Sequence, residues 1–71
     1  MMNRLHILQF SQQLEESQAR EIESLLEKLE GVIQAGVDAD AGTLEVEYDD
    51  AVVSKFQIAD FLKSHGYSVR V

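Results

Sequence analysis

The side chains able to do chemistry in this sequence are few, and they are acids, two histidines and two tyrosines rather than thiols. Cysteine is absent, which excludes a disulfide, a thiolate metal site and a redox pair, and removes the donor that a soft metal ion takes first. His6, His65 and Glu15 are the candidates for a borderline ion such as Zn²⁺, Cu²⁺ or Ni²⁺, provided the fold brings both imidazoles together with a further ligand. Glu15 and Glu16 offer too few oxygens for a hard ion, which needs about six, and complementing the positive end of a helix explains them without a metal. Asp38, Asp40 and Gly42 begin like a calcium loop, but Thr43 stands where that loop needs glycine and Asp49 where it needs a bidentate glutamate, so they read as a turn. The serines and threonines fall at turns and caps, where bonding to backbone accounts for them, and no Ser–His–acid set can be assembled. The chain therefore reads as non-catalytic, with no cofactor.

Seventy-one residues enclose one core, so residues 1–71 are expected to form a single unit. The apolar fraction of 45% and charged fraction of 27% are those of an ordinary globule rather than a disordered or membrane chain. A formal charge of -7, from 13 acids against 6 lysines and arginines, repels phosphate backbones and anionic membranes; it predicts no nucleic-acid partner, no membrane, and a protein partner with a basic surface. The opening MMNRLHILQF is too short in apolar residues for a signal peptide or a membrane span, which makes the cytoplasm the expected compartment. Met1-Met2 at one end and a strand-like finish at Val71 read as a complete small protein.

These residues must be positioned by regular elements, and the pattern supplies six. Leu5 to Phe10 is a nearly continuous apolar run, as in a central strand. Leu14, Ile22, Leu25, Leu26, Leu29 and Ile33 follow at helical spacing, with Glu16, Glu23 and Glu27 off that stripe and Gly31 closing the helix. Val32 to Asp38 is a weaker strand, "DADAGT" a turn, and Thr43 to Tyr48 alternates cleanly, with Glu45 and Glu47 toward water. Ser54 and Gln57 fit a capping box; Ile58, Phe61 and Leu62, joined in part by Phe56, make a second helix ending at Gly66, and Tyr67, Val69 and Val71 a last strand. The order βαββαβ, with right-handed crossovers, predicts an α+β ferredoxin-like sandwich: a four-stranded antiparallel sheet with both helices on one face. If Leu8 and Phe10 face the helices, Leu5 and Ile7 lie on the open face and invite self-association as a homodimer.

Three stretches resemble the heavy-metal-associated domain of copper chaperones and metal-pumping ATPases, over almost the whole chain. Ile22-Glu23 with Leu26, Leu29 and Gly31-Val32 is similar to that family's first helix and its closing Leu-x-Gly-Val; "VDADAGTLEVEYDDAVVS" is similar to its hairpin; and Ile58 with Phe61 or Leu62 and then Gly66-Tyr67 is similar to its second helix and last strand. The resemblance implies a loop before the first helix that would carry Gly-Met-x-Cys-x-x-Cys, whose thiolates hold Cu(I). Counted back from Ile22, Glu15 and Gln18 occupy the two cysteine positions, and Gln12 and Gln13 the Gly-Met. It also implies a position near the metal for His65, since some members carry His or Tyr before the last strand.

With no thiol at any register, the family's Cu(I) transfer is not carried over. The expectation is an interaction or regulatory module that uses Glu16, Glu23 and Glu27 on its first helix and Leu5 and Ile7 on its sheet; the alternative is a carrier or sensor binding Zn²⁺, Cu²⁺ or Ni²⁺ through His and carboxylate. Two other users of this layout fit less well. An acylphosphatase needs an arginine between Ser11 and Ser17, and an RNA-recognition module needs exposed aromatics and a basic surround.

Overall fold

Side-chain alternation along the first strand decides which way the sheet faces. In a computed structural model describing residues 3–70, β1 (Asn3–Phe10) buries Leu8 and Phe10 and leaves Leu5 and Ile7 64% and 63% exposed. Successive strand residues point to opposite faces, so one face of β1 meets the core and the other meets solvent. The chain continues through α1 (Glu16–Glu27), β2 (Val32–Asp38), β3 (Thr43–Asp49), α2 (Lys55–Ser64) and β4 (Val69–Arg70). The strands form one antiparallel sheet in the order β2-β3-β1-β4, the ferredoxin-like layout.

Ile22 and Leu26 of α1 and Ile58 and Leu62 of α2 are fully enclosed with Leu8, Phe10, Leu44, Val46 and Tyr48 from the covered face of the sheet. Burying apolar surface is the main favourable term here, and no disulfide assists it. The β2–β3 turn is built by Asp38, whose carboxylate accepts the Ala41 N–H at 3.1 Å and whose carbonyl accepts the Gly42 N–H at 2.8 Å.

The helical stripe is shorter than its periodicity predicts. Leu14 lies in the loop before α1, half-buried against the core, and α1 stops at Glu27, with Lys28 to Gly31 forming the turn into β2. Ile33 belongs to β2, at a break in register between Val32 and Gln34, and is 51% exposed. Phe56 does not join the second helix's buried face; it is 62% exposed beside the ammonium of Lys55. Val71, expected to end the last strand, and Met1-Met2 lie outside the described residues.

Candidate functional site

The loop from Ser11 to Glu15 is held by hydrogen bonds to neighbouring segments. The Phe10 N–H donates to the Gly42 carbonyl at 2.8 Å and the Ser11 N–H to the Ser68 carbonyl at 2.9 Å. In return the Ser68 N–H donates to Gln12 Oε1 at 3.1 Å. The loop is thereby tied both to the β2–β3 turn and to the segment entering β4. Gln12 and Gln13 line a shallow hollow of about 500 Å³ between the loop and Ala39–Gly42, whose one ionisable lining residue is Asp40.

Where α1 starts, Glu15 is the N-cap, in extended backbone geometry, and Gln18 is the third helical residue. Gln18 Oε1 accepts the Glu15 N–H at 2.9 Å, and the Glu15 carbonyl accepts the Ala19 N–H at 3.0 Å. This is capping-box geometry, in which the side chain at the third position turns back to satisfy a backbone donor that the helix leaves orphaned. Leu14 precedes the cap and Ala19, four positions into the helix, is buried. Those are the positions of a hydrophobic staple, which fixes the angle at which the chain enters a helix. The spacing that brings two thiolates together on a metal, i and i+3 across a helix start, is the spacing of a capping box. Here a carboxylate and an amide fill it, and both are hard oxygen donors unsuited to Cu(I).

The two histidines stand at opposite ends of α2. His6, half-buried on β1 opposite Val46, lines a hollow of about 320 Å³ with Arg4, Tyr48, Asp50 and Lys55 at the first turn of α2. His65 caps the last turn, with Nδ1 3.0 Å from the Phe61 carbonyl and its ring 4.7 Å from that of Phe61. A helix of 10 residues separates them, roughly 15 Å along its axis. Among the described residues no three His, Cys, Asp or Glu side chains are grouped to hold a metal.

The glutamates of α1 divide by their surroundings. Glu16 and Glu27 are exposed, but Glu23 Oε2 accepts the Val37 N–H at 2.8 Å. β2 is an edge strand, so Glu23 satisfies a backbone donor that would otherwise be open to another chain. Glu21 accepts from the Tyr67 hydroxyl at 2.8 Å. That bond, helped by burial and by repulsion from the carboxylate, raises the Tyr67 pKa above the ordinary tyrosine value. Sequence reasoning missed both roles, because each depends on a residue that is distant in the chain: Glu23 is 14 positions from Val37, and Glu21 is 46 from Tyr67.

A loop pinned between the β2–β3 turn and the entry to β4, running into a helix under a two-helix antiparallel sandwich, is the frame of a known class of protein. The heavy-metal-associated domain profile matches residues 16–68, and the chain belongs to that family. It is 38% identical to the copper chaperone CopZ of Staphylococcus aureus over 48 residues, covering 68% of this chain and 71% of the chaperone. Among solved structures, a CopZ metallochaperone superposes with a TM-score of 0.86 at 30% identity, over 94% of this chain and all of that one. The N-terminal domain of a potential copper-translocating P-type ATPase from Bacillus subtilis, in its Cu(I)-loaded state, superposes with a TM-score of 0.89 at 26% identity, over 99% and 88%. The profile match begins at Glu16, just past the first aligned cysteine position, whereas the structural likeness runs on through the loop and β1.

Proposed function

We propose that this chain is a non-catalytic member of the family that has no part in thiolate transfer of copper and acts by recognising another protein. The observation that carries the reading is the start of α1. Glu15 and Gln18 stand where the resemblance aligns cysteines, and the Gln18 amide is bonded into the helix cap. Copper chaperoning, the work named for its relatives, requires soft donors at that point, and this chain offers oxygen.

Recognition proceeds through charge. The excess of acids, net -7, steers the molecule toward a basic surface, and Glu16 and Glu27 are the α1 carboxylates free to meet one. Glu23 contributes to the fold first, through Val37. We place the work of this chain in the cytoplasm; no helix among the described residues is long and apolar enough to cross a membrane.

A photoreactive residue installed in turn at positions 16 and 27 and activated in the source cell tests the reading. A discrete adduct with one protein is expected, fading when the remaining carboxylate is replaced by lysine. No adduct from either position, or one indifferent to that replacement, would contradict recognition by these glutamates.

A further inference from the structure

The open face of the sheet carries a second, differently built surface. Leu5 and Ile7 are side by side on it, 64% and 63% exposed. The register sets Leu5 directly opposite Glu47 and Ile7 opposite Glu45. On the far side of β3, Glu47 faces Gln34 and Glu45 faces Gly36. Leu5, Gln34, Gly36, Glu45 and Glu47 line one hollow of about 220 Å³. A Cβ added at Gly36 would meet nothing within 4 Å, so the floor of the hollow is bare on the β2 side. The surface is an apolar row beside an acidic row, with space next to the acids.

We propose that this face docks a basic amphipathic helix of another protein, lying along β1 and β3. The inference deepens the reading of the chain as a recognition module, but it assigns a face opposite the one on which α1 packs. Residues two apart on a strand are about 6.7 Å apart, and residues four apart on a helix about 6.0 Å, so apolar side chains at i and i+4 rest on Leu5 and Ile7. Lysines or arginines at i+3 and i+7 then reach Glu47 and Glu45. Such a helix covers the sheet's second face as α1 and α2 cover its first, the layered arrangement in which a sheet buries both sides.

Charge selects this occupant over a second copy of the chain. Packing two copies face to face would bring the Glu45 and Glu47 of each against the other's, between bodies that each carry -7. The cation on this face among the described residues is Arg70, at the corner opposite Gln9, away from the Glu45–Glu47 row.

The test uses the full chain, ¹⁵N-labelled, titrated with a helix-stabilised peptide carrying leucine at i and i+4 and lysine at i+3 and i+7, against a control with glutamate in place of lysine. Saturable shifts confined to the amides of Leu5, Ile7, Gly36, Glu45 and Glu47 are expected, with no response to the acidic control. Glu45→Lys/Glu47→Lys weakens binding at least about tenfold. Gly36→Lys, which enters open space, does the same while keeping the native spectrum, so loss of binding is not loss of fold. Three results would overturn the proposal: no saturable binding at low salt, equal binding of the acidic control, or a dimer forming through Leu5 and Ile7 without peptide. A fourth, shifts centred on Glu16 and Glu27, would remove the sheet face while leaving recognition by α1 standing.

Discussion

Helices α1 and α2 begin with the same device and were not equally easy to see. At α2, Ser54 Oγ accepts the Gln57 N–H at 3.1 Å and Gln57 Oε1 accepts the Ser54 N–H at 2.8 Å. At α1, Gln18 repeats the second of those bonds onto Glu15. Serine is a preferred N-cap and glutamate is not, so one box is visible in the residue types and the other emerges only with the backbone in place. Beneath unlike cap residues, the two halves of the molecule share one way of starting a helix. The resemblance to the family sets its metal-binding thiols at those same two positions of the first half.

The glycines that follow the two helices, Gly31 at the entry to β2 and Gly66 at the cap of α2, differ more, and they give the largest effect. Gly31 (φ 96) and Gly66 (φ 90) both take the left-handed conformation that side chains avoid. A Cβ at Gly31 would also come within 2.8 Å of Val53 and 2.9 Å of Val52, whereas at Gly66 it would meet nothing. Gly31→Ala should therefore cost roughly 2 to 4 kcal/mol, strain plus overpacking, and Gly66→Ala about 1 to 2, strain alone. Chemical denaturation of the two variants measures both, and equal losses would break the distinction.

The caps come next. Ser54→Ala should cost about 1 kcal/mol and Gln18→Ala about half that, since half-buried Gln18 makes one bond to the cap at the surface, where water can replace it. If Gln18→Ala were neutral, the box at α1 would be geometry without energy.

Smallest is a pH effect at the bond that joins the two halves, from Tyr67 beyond α2 to Glu21 of α1. Because the Tyr67 pKa is raised in the folded state, its hydroxyl stabilises the fold below about pH 10, and that contribution is lost as pH rises through the folded value. Thermal melts should show a decline in this range that Tyr67→Phe removes.

The ferredoxin-like order, the capping box at Ser54, the turn at Asp38 and the cap glycine at 66 were legible because each depends on neighbours in the chain; Gly31 is left-handed as expected but does not close α1, which ends at Glu27 with Lys28 as its cap, four residues earlier. Periodicity overran the ends of α1, since Leu14 packs on the same core without being helical and Ile33 shares the spacing by chance. Phe56 was misread for the related reason that a residue at the first turn can match the helical period and still project past the sheet. Glu23 could not be separated from Glu16 and Glu27, because the partner that occupies it, the Val37 N–H, belongs to the edge strand. Leu5 and Ile7 follow from alternation alone, but the carboxylates standing opposite them required the register of β1 on β3.

We infer that the start of α1 keeps the frame of a metal loop and lacks only its donors. The most direct test of this is a competition for Cu(I) against a chromogenic chelator, run on the native chain and on Glu15→Cys/Gln18→Cys, with circular dichroism confirming that both are folded. The native chain is expected to leave the copper with the chelator, while the double variant withdraws about one equivalent, its thiolates favoured by the helix N-terminus. Copper taken up by the native chain, or refused by a folded double variant, would contradict it.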